Sequence, residues 1–524
     1  MDEATMASKI LAYVREEITH LIEDVVKKRA DWDLDRLENA SQEIGRCIAR
    51  VLLETFVSVA PDTIEASVPG HSDVGDGTHQ LPFVEMRERC VLTILGPIRY
   101  KRAYYHSTSP KDSRFPRDEE LDVAPRIRRS NRLRELEAYL SAVAGSFDQA
   151  TEVLWKLLGV KLEYKQAQRD CLELGKVLET VESKALEEAF DHHKPPPPPK
   201  SRENAPECLI VSVDGITVKH CSGGSMEIKC GRVFRAGLRD PVKGKHRPKR
   251  KRPKRPSRRG EKPSKRRQRE LQKLKESQEQ REYGCASDVV SEALKEAAPE
   301  RVIRPMYRPS TEKSTYRATT RLGTQALGRA LWHAAEELGL SISPLTLFLA
   351  DGSAWCWNLC ETHFSEAINI LDVFHLARHL VVAANALHGE RSAKATSWRH
   401  AMMVRLLRGE ALEILDELSR LTFTSPKKRK AKEALARYIK NNISRMDYPT
   451  YIANGYPISS ALIEGACRHV IGQRMKGCGR CWDEEGAEAM ARLRAILCSG
   501  VWDAKMRQRR EERKKLALLR RRAA

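Results

Sequence analysis

Apolar positions change their spacing several times along the chain, and each change predicts a different element. In 4–29, Leu11, Val14, Ile18, Leu21 and Val25 recur every three or four positions, as one face of a helix requires, and 34–59 repeats the rhythm. Residues 60–80 are rich in Pro, Gly, Asp and Ser and read as a loop. The stretch 84–106 then turns β-rich, with two runs broken at Gly96-Pro97, which predicts a hairpin. Helical spacing returns over 130–190. Within it, SFDQATEVLWKLLGVKLEYKQAQRDCLELG (146–175) reads as helix, short turn at Gly159-Val160, and second helix. That is the rhythm of a DNA-binding helix-turn-helix and equally of an ordinary αα-hairpin. The second helix would present Lys165, Gln166, Gln168 and Arg169.

The run HHKPPPPPK (192–200) forbids helix and favours an extended spacer, so a domain boundary is expected there. Beyond it, strands and helices alternate. ECLIVSVDGITV (207–218) predicts a buried strand ending at Asp214-Gly215, and MEIKCGRVFRAG (226–237) a second strand. A helix is expected over 318–340, and SPLTLFLADGSAWCW (343–357) gives an apolar strand ending at Asp351-Gly352. EAINILDVFHLARHLVVAANAL (366–387) reads as strand, turn at Asp372, and helix. Residues 390–450 are helical and basic, and a helix starts after Pro457, Ser459 and Ser460. This alternation predicts an α/β domain over 207–500. The organisation expected is N-terminal helices (1–60), a β-hairpin module (61–125), a helical, helix-turn-helix-like region (126–191), the linker (192–204), an α/β domain (205–503) and a C-terminal tail (504–524).

Composition changes the picture mainly through charge. The 524 residues carry a net +22, but 243–269 hold sixteen Lys/Arg and one acid, and 505–524 hold ten Lys/Arg and two acids. Those two segments account for all of the excess and leave a near-neutral body. Basic blocks of this kind attract a polyanion or serve as solubilising runs. The N-terminal MDEATMASKILAYVREE lacks the apolar region of a signal peptide, and no run of 18 apolar residues exists. Thirteen cysteines scattered over the chain point to free thiols in a reducing cytoplasm and not to a disulfide scaffold.

Two carboxylates at strand ends and a third on a helix are candidates for chemistry: Asp214, Asp351 and Glu464. Ligands of open α/β sheets gather at the C-terminal ends of strands. Hard divalent cations take oxygen ligands, and a metal pair can activate an attacking oxygen and stabilise a leaving one. Each residue has a plainer reading. Asp-Gly is a common turn. Glu464 shares a helix face with Arg468 and would pair with it. Asp372 would cap the helix beginning near Phe374. Trp355, Trp357 and Trp482 lie near these motifs, and core packing accounts for them better than base stacking does.

The segments VSVDGITV, ADGSAWCWNLCETHFSEAINILDVFHLARHL and GYPISSALIEGACRHVIGQRMKGCGRCWDEEGAEAMARLRAILCSGVWD resemble the Kra-type (ISKra) insertion-sequence transposases, which are similar in turn to the Mutator-like DDE transposases. The resemblance spans about 80–503 and is strongest over 345–385 and 455–503. It implies an RNase H-like core with a helical insertion near 385–455, and Asp214, Asp351 and Glu464 as catalytic residues holding two Mg²⁺ (or Mn²⁺) ions. It also places Asp372 and His375 on an accessory Asp-x-x-His motif. It implies double-stranded DNA as partner, both terminal inverted repeats and target, and a homodimer or larger synaptic complex without membrane attachment. Cleavage at the element ends would free a 3′-hydroxyl that attacks target DNA, in the bacterial cytoplasm at the nucleoid. Lys165, Gln166 and Arg169, with Arg468, Arg474, Lys476 and Arg480 after Glu464, are the expected DNA contacts; His469 lies in the same basic stretch. Relatives often carry cysteine pairs resembling a zinc ribbon after the hairpin. YYHSTSPKDSRFP (104–116) has none, and CGRC (478–481) has no convincing second pair of ligands. The resemblance assigns no role to the basic insert at 240–283. The alternatives are a domesticated, non-catalytic DNA-binding protein and an RNase H-fold nuclease without strand transfer.

Overall fold

The computed structural model describes residues 32–58, 65–69, 80–108, 111–124, 126–197, 205–240, 286–298, 306–310, 314–390, 392–459 and 461–523, together with scattered helical residues between 8 and 27. The basic insert lies outside the described residues apart from Asp240. The chain divides into two units, one of 1–181 with 501–524 and one of 182–500. The division falls inside the helix Tyr164–Phe190 and not at the proline run. That helix stops just before the prolines, which bar the preceding residues from continuing it.

In the first unit, β1 (Ser67–Pro69), β2 (Gln80–Thr93), β3 (Gly96–Thr108) and β4 (Lys111–Arg114) form an antiparallel sheet in that order. The expected hairpin is therefore the centre of a larger sheet, and its turn sits at Ile94 and Leu95, before Gly96. Val91, Ile98 and Tyr100 pack with Val57 from the helix Leu34–Ser58. Asp118 is buried against Arg89 and Arg102 and accepts from the Tyr100 hydroxyl at 2.7 Å. The helices Asn131–Val143, Phe147–Leu158 and Tyr164–Phe190 follow, the first two capped by the Ser130 and Ser146 hydroxyls. Gly159 ends the second of them at φ 65, a left-handed conformation that suits glycine. The C-terminal segment, expected as a solvated tail, is a helix, Trp502–Ala523. Arg509 and Arg510 reach the buried Glu135, and Arg513 reaches Asp122, so part of the basic run is neutralised by internal acids.

The second unit is a mixed α/β structure around a six-stranded sheet. Its strands are β5 (Cys208–Lys219), β6 (Ser225–Arg239), β7 (Met306–Pro309), β8 (Thr315–Thr319), β9 (Thr346–Ala350) and β10 (Ile368–Leu371). The order is β10-β9-β5-β6-β7, with β8 also on β6. The pairs β10/β9 and β9/β5 are parallel, and the others antiparallel. Two of these strands, β7 and β8, escape the apolar pattern because each is only four or five residues long, and the helix expected from 318 begins at Gly323. Ile210, Val211, Phe348, Leu349, Ile370 and Leu371 are fully buried in a core shared with flanking helices. The helices Ala393–Leu407, Ala411–Arg420, Pro426–Asn442 and Tyr448–Ala453 fill the region 393–453. Their Met403, Leu406, Ile414 and Ile439 join the same core as the sheet. Among the described residues no helix is long and apolar enough to cross a membrane.

Candidate active site

Asp214 does not end its strand. β5 runs on through Gly215 to Lys219, with Asp214 opposite Cys230 and Gly215 opposite Lys229 on β6. The Asp-Gly pair is no turn here, because twelve residues of hairpin pairing carry the strand through it. Asp214 lies two positions beyond Ser212, whose parallel partner is Leu349; Asp351 lies two positions beyond Leu349. The register thus brings the two aspartates level on neighbouring strands.

Asp351 follows the last residue of β9, and there the chain does turn, with Gly352 at φ 93. Besides tolerating that φ, glycine admits a neighbour: a Cβ on Gly352 would meet the Tyr438 hydroxyl at 2.9 Å. The Asp351 carboxylate accepts from the Ser353 amide at 2.9 Å and the Ser353 hydroxyl at 3.0 Å, and the Cys356 thiol lies at 3.5 Å. Tyr438 donates from its hydroxyl to the Asp351 carbonyl at 2.8 Å and stacks on His379 at 3.7 Å. No spacing signal points to Tyr438, 87 positions away from Asp351; Ser353 is adjacent to the motif and was legible as part of ADGS.

Asp372 is buried and caps the helix Val373–His388, accepting from the Phe374 amide at 3.0 Å. Its other oxygen binds His375 Nδ1 at 2.6 Å. Its own amide donates to Ala350, and Val373 donates to Ile458, fixing β10 to β9 and to the segment that leads into Glu464. The capping reading of Asp372 holds, and it serves at the same time to orient His375.

Glu464, half-buried, lies on the helix Ala461–Cys467, which continues as a π-helical turn, Arg468–Gly472, before Gln473–Met475. Single π turns inside helices recur at functional sites. Buried Arg494 donates to the carbonyls of Val470 (2.8 Å) and His469, which stabilises the irregular turn.

The electrostatics bring these groups into one field. Burial pushes the Asp214 carboxyl up to about 7; His375 and the Gly215 amide act against this, while Asp351 and Glu464 add to it. Burial lowers His375, but its bond to Asp372 and the charges of Asp372, Asp351 and Asp214 outweigh that and raise it. Asp214 is therefore within electrostatic reach of Asp351, Glu464 and His375. Among the described residues no three His, Cys, Asp or Glu side chains are gathered closely enough to hold a metal ion as they stand.

This gives a prediction for the metal-free protein. A carboxyl raised from 3.8 to about 7 in the folded state favours folding in its protonated form. Its contribution is fully present below about pH 4 and is lost as pH rises through 7. Asp214→Asn is expected to remove that loss and stabilise the metal-free protein at pH 8 by roughly 2 kcal/mol. Denaturant unfolding at pH 5 and pH 8 would show it; an equal shift at both pH values would refute it.

The expected DNA contacts divide. Lys165, Arg169, Arg468 and Lys476 are exposed, as is His469, and Gln166 is half-buried. Arg474 is instead buried, with its guanidinium 5.2 Å from the Trp482 ring centre. Arg480 donates to the carbonyls of Gln473, Arg474 and Lys476 at 2.9–3.2 Å, closing the end of their helix. Burial beside an aromatic ring draws the Arg474 guanidinium inward, against its expected place on DNA, while half-buried Arg480 ties the carbonyls at the helix end. Trp357 and Trp482 are buried, with their indole N–H groups on Asn442 and the Met475 carbonyl.

A family model described as UPF0236, an uncharacterised protein family, matches residues 76–194 and 341–514, more than half of the chain. It covers Asp351 and Glu464 and leaves Asp214 outside. No curated protein matches the chain.

Proposed function

The chain belongs to UPF0236, an uncharacterised protein family, and on that premise we propose that it is a metal-dependent DNA transposase of the DDE type. The observation that carries this reading is the register that sets Asp214 level with Asp351 on neighbouring strands, with Glu464 close enough to act on the Asp214 carboxyl. What supports an RNase H-like core is the strand order: a central first strand in a hairpin with the second and parallel to two later ones. The placement among Kra-type insertion-sequence transposases and their Mutator-like kin rests on the motifs around Asp214, Asp351, Asp372, His375 and Glu464.

The donor set is all carboxylate, which suits a hard cation such as Mg²⁺ or Mn²⁺. Burial, with smaller contributions from Asp351 and Glu464, raises the Asp214 carboxyl to about 7, and a cation there would favour its ionised form. Asp214, Asp351 and Glu464 would hold the two expected ions, which would supply charge neutralisation and a more acidic attacking oxygen. The Ser353 bonds fix the Asp351 carboxylate, and Tyr438 fixes the backbone beneath it. Asp372 holds Nδ1 of His375, so a contact of this ring with a phosphate oxygen would run through the other nitrogen. Arg468 and Lys476 would meet the DNA backbone and position it without reading sequence. Lys165, Gln166 and Arg169 would contact the terminal repeats. Two ends are processed together, so a dimer or larger synaptic complex, acting in the cytoplasm at the nucleoid, belongs to this proposal.

The test uses plasmid DNA bearing the sequences that flank this gene as element ends. Cleavage at those ends with exposure of a 3′-hydroxyl, joining into a second plasmid, and loss of both with EDTA are expected. Binding without cleavage in Mg²⁺ or Mn²⁺ would point to a domesticated DNA-binding protein. Cleavage without joining would point to a nuclease.

A further inference from the structure

Beyond the acidic cluster, the fold brings together cysteines that lie far apart in the chain. After β5, Lys219 accepts from the Trp482 amide at 3.0 Å, and Cys221 donates from its amide to the Trp482 carbonyl at 3.0 Å. His220 and Trp482 thus form a parallel bridge, with Cys221 just after it on one segment and Cys481 just before it on the other. Side chains alternate across such a bridge, so these two cysteines share the face opposite His220 and Trp482. Both are exposed. Burial is the largest influence that raises the Cys221 thiol, and the neighbouring Cys481 thiol and Asp483 add to it, as fits two thiols on one face beside the bridge. A second thiol pair, Cys230 with Cys467, joins the same two stretches of chain below the surface.

We propose that Cys221 and Cys481 form a reversible disulfide site that latches the loop following Glu464 to the end of the strand carrying Asp214. The oxidant is a small-molecule disulfide such as oxidised glutathione. One cysteine thiolate attacks a sulfur of the reagent, breaks its S–S bond, expels one thiol and leaves a mixed disulfide. The other cysteine then displaces the second thiol and closes the Cys221–Cys481 bond. One S–S bond and two S–H groups are exchanged for one S–S bond and two S–H groups, so atoms and electrons balance. The exposed pair is open to such a reagent and the Cys230–Cys467 pair is not. Cys478 competes from the same loop, but it lacks the backbone bridge that pins Cys221 beside Cys481. Since the readout is a bond, this inference stands apart from the transposase reading.

The full chain, equilibrated in oxidised and then reduced glutathione, would be digested without reduction and mapped by mass spectrometry. Peptides joined through Cys221 and Cys481, lighter by two hydrogens and released by reductant, are expected, and Cys221→Ser should abolish them. In the oxidised protein, exchange of the Cys221 and Trp482 amides should slow roughly tenfold, because the bridge can no longer open freely. A Cys478–Cys481 bond, a Cys230–Cys467 bond, or glutathione adducts alone would overturn the proposal. Should Cys221→Ser not fold, alkylation of the wild-type chain decides: Cys221 and Cys481 must lose reactivity together on oxidation, and loss at only one of them refutes the latch.

Discussion

Asp351→Asn is expected to lower DNA strand cleavage by roughly 10²–10³-fold or more while leaving the fold intact. Asparagine keeps the size of aspartate, and its carbonyl oxygen can still accept from the Ser353 amide, which now lies 2.9 Å from the carboxylate. The Tyr438 bond goes to the backbone carbonyl of residue 351 and is untouched by the change. What disappears is a charge needed to hold cations against a phosphodiester. The same substitution should relax the Asp214 carboxyl downward, because Asp351 is one of the charges that raises it. Cleavage rates on matched DNA ends, beside an unchanged circular dichroism spectrum, would check this. A variant with activity within about threefold of wild type would remove Asp351 from the catalytic set.

Glu488→Ala should have the largest effect on stability, a loss of roughly 3–5 kcal/mol. Glu488 is 2% exposed on the helix Glu484–Cys498. Its carboxylate accepts from the Thr319 hydroxyl (2.9 and 3.0 Å), the Thr320 amide (2.7 Å) and the Arg321 amide (3.0 Å). It also pairs with Arg492 at 3.2 Å, itself 6% exposed. Truncation leaves buried donors and a buried guanidinium facing a void, and each forfeits its desolvation cost. Glu488→Gln, which keeps an acceptor and loses the charge, should cost clearly less. Denaturant unfolding measures both, and a loss under about 1 kcal/mol for the alanine variant would show that Glu182, which Arg492 also meets, compensates.

Glu488 shows why local pattern reaches only part of this molecule. The run GAEAMARLRAIL lies in the helix Glu484–Cys498. That its single internal glutamate would fasten the end of β8 follows from no spacing, because β8 is 169 positions away. Arg474 and Arg480 show the same gap from the other side. In the sequence they are expected DNA contacts that follow Glu464; in the fold, Arg474 lies beside Trp482 and Arg480 meets three helix-end carbonyls. The C-terminal arginines were a solvated run until Glu135 and Asp122 came within reach.

The sequence by itself determined most of the strands and helices and the α/β character of the second unit, and it offered three acids as candidates. Apolar runs and helical spacing are local properties and survive without tertiary context. Only the tertiary structure decided that Asp214 sits within a strand and not at its end, that Asp214 and Asp351 stand level, and that Asp372, the expected helix cap, also grips His375. Strand register, burial and the pairing of distant charges depend on which segments meet, and the field that pushes Asp214 to about 7 exists only once they do.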